Sequence, residues 1–214
     1  MSAAQLQLIP TVNANELHFV YLGAGYDQAN LLRRSLMTEV PCYAIHNVTF
    51  FTKSGYVACA SSTPETISQR LGQLPLIQSD LPASPEDAIY FIDVASDQGI
   101  YPVTSRDIKH RETGEPLPVA GEFELARLKV GEHLNCDIRL KSGTGRDHMK
   151  YMSVSAVGIP RTHHPLGTLM TCELTGQYDA QTILELGLAG LANTLTFPAE
   201  NIFYQLAPDA MGGQ

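Results

Sequence analysis

The sequence predicts an α+β chain, and three observations carry that expectation. Short segments in which apolar and polar residues alternate recur along the whole length, as in strands with one buried face. Two helical patterns stand towards the two ends, over residues 27–40 and 180–197. Between them, residues 78–122 hold five of the 13 prolines (Pro82, Pro85, Pro102, Pro116 and Pro118, after Pro64 and Pro75 just upstream), the mark of short strands joined by long loops.

Residues 4–10 and 16–22 alternate as strands, with a turn at Asn13-Ala14-Asn15 between them. After Gly23-Ala24-Gly25, the apolar residues Ala29, Leu32, Leu36 and Val40 share one helix face. Asp27 near the start and Arg33-Arg34 nearer the end suit the helix dipole, and Pro41 stops the helix. Residues 43–52 are β-branched or aromatic and read as a strand. Thr63-Pro64-Glu65 is a helix start, with Thr63 as N-cap and Pro64 at the first helical position; Ile67, Leu71 and Leu74 form its apolar face, and Gly72 breaks it. Strands follow at 88–94, 99–104, 125–130 and 134–140, the last two flanking a turn at Gly131-Glu132. A polar loop spans 141–150, then come strands at 153–159 and 167–174 and a turn at Gly176. The last helix is capped by Asp179 and carries one charge, Glu185. Leu184, Leu188, Leu191 and Leu195 make a stripe that Ile183, Leu186 and Ala189 widen, so the helix must be buried on more than one side. Gly187 and Gly190 leave room for another backbone to come close, and a second chain could supply one covering face.

At 214 residues the chain is long enough for one large domain or two modest ones, and needs no disulfide or metal staple. Hydrophobic content is 44% and charged content 17%, which is globular rather than disordered. A net charge of −8 argues against broad contact with nucleic acid. No apolar run is long enough for a membrane helix, and Met1 to Pro10 lacks the basic start of a secretory signal. The four cysteines, at 42, 59, 136 and 172, are too dispersed for a zinc ribbon and read as reduced structural thiols.

Motifs for catalysis are sparse. His163-His164 is an adjacent pair whose side chains diverge, without HxxxH or CxxC support, so no metal and no cofactor is expected. Asp147-His148 with Lys150 could do acid–base work, or form a loop that hydrogen-bonds its own backbone. Gly143-Thr144-Gly145 lacks the Gly-Lys-Ser/Thr ending of a phosphate loop. Arg33 and Arg34 diverge by about 100° on a helix, and either lie on a solvated face or clamp a partner's carboxylates or carbonyls.

The run Asn30-Leu31-Leu32-Arg33-Arg34-Ser35-Leu36-Met37-Thr38-Glu39-Val40-Pro41 closely resembles the Asn-x-Leu-Arg-Arg-x-Leu-x-x-Glu-Val-Pro signature of the RNA polymerase assembly subunits, the family of bacterial alpha, its archaeal counterpart and the eukaryotic third-largest subunit. Further blocks resemble that family in the same order: Pro64 to Leu76, Val103 to Ile108, Leu125 to Leu134, and Gly145-Arg146-Asp147-His148-Met149-Lys150-Tyr151. Together they cover about residues 15–200. Tyr151 stands where the family has Trp, Ser153 where it has Pro, and Gln69 where it has His; the cysteine spacing leaves no accessory zinc or iron–sulfur module. Such a short, divergent version is what a large DNA virus could encode.

The resemblance implies a discontinuous alpha-like dimerisation domain (antiparallel sheet plus two helices) from residues 1–52 and 160–214, with a β-rich domain inserted over 53–159. It implies a non-catalytic scaffold that pairs with a smaller alpha-like subunit and recruits the second-largest subunit, among other small subunits, with little nucleic-acid contact and no membrane. Asn30, Leu32, Leu36, Met37, Val40, Leu184, Leu188, Leu191 and Leu195 are expected at the partner interface. Arg33, Arg34, Glu65, Arg70, Asp147, His148 and Lys150 are expected to meet a large subunit. An intracellular setting, or a virion or viral factory, is expected. The alternatives are a homodimeric module unrelated to transcription and a small hydrolase using Asp147 and His148.

Overall fold

The computed structural model describes residues 6–9, 11, 13, 15–51, 62–160 and 165–195. In chain order these form β1 (Leu6–Ile9), β2 (Glu16–Leu22), α1 (Tyr26–Thr38), β3 (Pro41–Phe50), α2 (Pro64–Gly72), β4 (Ile89–Ala95), β5 (Tyr101–Thr104), β6 (Lys109–His110), β7 (Glu124–Leu128), β8 (His133–Thr144), β9 (Val154–Gly158), β10 (Gly167–Leu174) and α3 (Ala180–Leu195), with single 3₁₀ turns at Gln78–Asp80, Ser105–Asp107 and Met149–Tyr151. The expected α+β class with antiparallel sheets is borne out.

Two four-stranded sheets and a two-stranded one hold the strands. The first has the order β1-β2-β10-β9 and the second β3-β8-β4-β6, with β5 and β7 paired beside it; every pairing is antiparallel. On β2 the alternation turns Leu17 and Phe19 inward, and α1 and α3 cover that face with Ala29, Leu32, Leu36, Ile183 and Leu184. Each large side chain so buried contributes about 1.5–3 kcal/mol. The second core gathers Ile67 and Leu71 of α2 against Ile92, Leu125, Leu128, Leu134 and Ile138.

The chain enters the second sheet at Pro41, directly after α1, and leaves it at the 3₁₀ turn 149–151. β3 therefore pairs with β8, and β9 with β10, so the sheets exchange strands near residues 40 and 152 rather than at 52 and 160. β8 also runs through Lys141–Thr144, a stretch whose polarity reads as loop: Pro41 pairs with Thr144 on a partly solvated part of the sheet. β7 and β8 are not a hairpin. Gly131, with φ +82, turns the chain so that β7 joins β5 and β8 enters the other sheet.

Local chemistry sets the ends. Gln28 Oε1 accepts the Gly25 N–H at 3.1 Å, Thr63 Oγ1 accepts the Thr66 N–H at 3.3 Å, and the Asp179 carboxylate accepts Thr182 N–H at 2.9 Å and Oγ1–H at 2.7 Å. A bulge between Ile45 and Asn47 interrupts β3. At its outer edge, Gln78 Oε1 accepts the Tyr43 N–H at 2.7 Å and Gln78 Nε2 donates to the Tyr43 carbonyl at 3.0 Å.

Cys42, Cys136 and Cys172 are buried free thiols. Burial pushes Cys42 up to about 11, and Cys136 and Cys172 up to about 12. At pH 8 this lowers the thiolate fraction about hundredfold or more below that of an exposed thiol. Labelling with iodoacetamide and peptide mapping should leave these three unmodified in the folded chain and modify them in urea; rapid native labelling at Cys136 would contradict the burial. Because the folded state holds these protons more tightly than the unfolded one, the linked stability is full below about pH 9 and is lost as pH rises towards about 12.

Candidate partner-binding surfaces

α1 and α3 cross closely. The Ser35 hydroxyl donates to the Gly187 carbonyl at 2.6 Å. A Cβ on Gly187 would lie 2.4 Å from Leu36 Cδ2, and one on Gly190 2.5 Å from Glu39 Cβ. The backbone for which these glycines leave room is thus α1 of the same chain. Leu32, Leu36, Val40 and Leu184 are only 0%, 1%, 2% and 6% exposed. They belong to the chain's own core, a correction to their expected place on a partner interface. An apolar helical stripe looks the same whether its cover is the chain's own sheet or another molecule.

Surface remains elsewhere on the pair. Met37, Leu188 and Leu191 are half-buried, and Leu188 and Leu191 pack against the first core. Asn30 is half-buried and its Oδ1 accepts from Arg33 Nε at 3.0 Å. Leu195 ends α3, and its side chain lies outside the described residues. On α3, Ala189 and Ala192 are exposed, beside half-buried Leu186. On α1, Tyr26 and Leu31 are exposed. Arg33 and Arg34 diverge as their spacing requires: Arg33 lies along the helix, with Nη1 3.5 Å from Met37 Sδ, whereas Arg34 is exposed.

The second group centres on α2 and the loop after β8. Glu65 is exposed in the first turn of α2, where the N-terminal backbone N–H and the Thr63 hydroxyl hold its carboxyl below the usual range. Arg70 is committed internally, since Nη1 donates to the Leu125 carbonyl at 2.8 Å and ties α2 to β7. Asp147 accepts the Thr144 N–H at 2.9 Å and hydroxyl at 3.0 Å, which holds its carboxyl low and closes the loop. His148 Nδ1 accepts the Lys150 N–H at 3.1 Å. Lys150 Nζ donates to the Ile45 carbonyl at 2.9 Å and to His46 Nδ1 at 3.2 Å, and lies 5.0 Å from the Tyr151 ring centroid. Asp147 and His148 thus hydrogen-bond to neighbouring chain rather than to each other, as the loop reading expects.

The loop also locks onto α1. The Arg146 N–H donates to the Thr38 carbonyl at 3.2 Å, its guanidinium pairs with Glu39, and a Cβ on Gly145 would lie 2.1 Å from the Met37 carbonyl oxygen. His46, which reaches both Lys150 and Tyr151, was not singled out by the sequence; a lone His in a strand carries no signal. Ser35 was also missed, although a small polar residue within an apolar face opposite two glycines is a readable sign of close helix packing. Among the described residues no group of three or more His, Cys, Asp or Glu could hold a metal ion, and no helix is long and apolar enough to cross a membrane. His163-His164 lies outside the described residues.

No family model matches the chain. Among curated proteins it is similar to the DNA-directed RNA polymerase subunit Rpo3 of Methanocaldococcus jannaschii, 27% identical over 185 residues that span 86% of this chain and 87% of that one. The Rpo3 of Thermococcus kodakarensis is 26% identical over 141 residues, or 64% of this chain and 52% of the relative. The DNA-directed RNA polymerases I and III subunit rpac1 of Dictyostelium discoideum is 23% identical over 170 residues, or 66% and 48%. The chain spans about half the length of most of the curated relatives it matches. The resemblance read from the Asn30–Pro41 run and the later blocks is borne out by these relatives.

Proposed function

We propose that the chain is a non-catalytic assembly subunit of a multisubunit DNA-directed RNA polymerase. The observation that carries this reading is the near full-length match to the Methanocaldococcus Rpo3. The polar loop at Asp147–Lys150, occupied by its own backbone, supports the absence of chemistry in this chain.

The proposed organisation has one unit built from both ends of the described chain, with the first sheet, α1 and α3, and a second unit built on β3 to β8. The first unit would pair with a smaller alpha-like subunit. Its contact would use the uncovered side of α3, where Leu186, Ala189 and Ala192 keep a helix of almost no charge partly in solvent. Met37, Leu188 and Leu191 would form its border with the chain's own core. Arg34, with Arg33 beside it, and the face made by α2 and the 144–152 loop would meet the second-largest subunit. A net charge of −8 suits a subunit away from the template, inside the cell or, for a viral source, in a virion or viral factory.

The test replaces exposed side chains so that folding is spared. Ala189→Glu with Ala192→Glu, co-expressed with the small partner identified by co-purification and mass spectrometry, should shift the complex to separate chains in size-exclusion chromatography with light scattering. Circular dichroism should be unchanged. An intact complex would remove α3 from the interface; co-purification without any polymerase subunit would overturn the assembly role itself.

A further inference from the structure

A cleft of about 580 Å³ opens between α2, the middle of β3 and the 148–150 segment. His46, Asn47, Gln69, Gln73, His148 and Lys150 line it, and none of its lining residues among those described is acidic. In a chain of net charge −8 that is an exception. The nearest loop carboxylate, Asp147, is turned onto Thr144, and Glu86 accepts the Ser142 N–H at 3.1 Å. Lys141 on β8 adds a second ammonium that bears on both His46 and Lys150.

Hydrogen bonding makes the cleft a donor surface. Lys150 Nζ must donate to His46 Nδ1, and the Lys150 backbone N–H must donate to His148 Nδ1. With Nδ1 of each ring accepting, each neutral imidazole carries its proton on Nε2 and can donate there. Lys150 has three ammonium protons and two hydrogen-bond acceptors among the described residues, which leaves a third proton for a ligand. The exposed amides of Gln69 and Gln73 add further donors, and Met149, 71% exposed, supplies an apolar lip.

We propose that this cleft docks a carboxylate-bearing segment of a partner polypeptide, with Lys150 as its central charge. A carboxylate is acceptor-only and matches a surface of converging donors. A nucleic-acid backbone would need several clustered Lys or Arg side chains, and among the described residues the cleft lining contains one Lys and no Arg. The proposal rests on the assembly-subunit reading only for who the partner is.

The test uses the tagged full chain with the proteins that co-purify from its native source. Carbodiimide joins amines to carboxylates in direct contact without a spacer. Digestion and mass spectrometry should find Lys150 joined to an Asp or Glu of another polypeptide. Gln69→Glu, an exposed change at the rim, should lower partner retention about tenfold at low salt, and Gln69→Lys should not. Coupling of the chain's other lysines to the partner without Lys150 would overturn the proposal, as would unchanged retention in Gln69→Glu. Binding of a 20-nucleotide thymidine strand that shields Lys150 from acetylation would overturn it in favour of nucleic acid. Lys150 coupled to a protein from outside any polymerase would leave the cleft standing and defeat the assembly role; polymerase subunits recovered without Lys150 coupling would do the reverse.

Discussion

Gly187→Leu should destabilise the chain by about 3 kcal/mol, read as a lower midpoint in urea unfolding at unchanged slope. A Cβ here meets Leu36 Cδ2 at 2.4 Å and Cγ at 3.1 Å. Leu36 is itself 1% exposed, so it has little free space into which to rotate. Moving the helices apart also breaks the bond from Ser35 to the Gly187 carbonyl and strands a buried hydroxyl, which alone costs about 1–3 kcal/mol. The better helix propensity of leucine returns less than about 1 kcal/mol. A midpoint equal to the wild type would mean that α1 and α3 do not cross at this residue.

Gly145→Ala should cost about as much, because here the obstacle is main chain. The new methyl would sit 2.1 Å from the Met37 carbonyl oxygen, 3.0 Å from Met152 Cγ and 3.2 Å from the Met37 carbonyl carbon. A helix carbonyl cannot turn aside without unwinding the last turn of α1. The loop must therefore lift, losing the Arg146 N–H bond to Thr38 and the Arg146–Glu39 pair. The expected loss is about 2–3 kcal/mol, with faster amide hydrogen exchange at Arg146. Gly72→Ala is the matched control: its nearest contact would be an ordinary 3.8 Å, at the last residue of α2, so it should be neutral or slightly stabilising. Equal stability of the two variants would remove the loop's close seat on α1.

Local elements were legible because their signals are local. The stripe at 29, 32, 36 and 40, the Thr63-Pro64 start and the alternation at 16–22 each state a period or a cap. Partnership between elements was not. Nothing near Gly131 says that the strands flanking it part company, and Lys141–Thr144 looks like loop because its sheet partner begins a hundred residues earlier. The same blindness affected the candidate site. Leu32 and Leu36 advertise burial without naming what covers them. Arg70 advertises a charge, but its acceptor is a carbonyl of β7. The signature run and the Gly145–Tyr151 block proved to be neighbours in space, through Gly145 and Arg146 on Met37, Thr38 and Glu39, which their separation in sequence conceals.

The Gln78 amide bound to both main-chain groups of Tyr43 also bears on self-association of the chain. Together with Tyr178 Oη on the Pro41 carbonyl and Lys150 Nζ on the Ile45 carbonyl, it occupies outward-facing polar groups along the first half of this edge strand. An open edge of that length is a template on which a second copy could add a strand and begin to aggregate. A side chain that imitates a neighbouring strand closes that route without covering the helices. Along residues 41–45, a second copy of the chain thus finds these main-chain groups already taken.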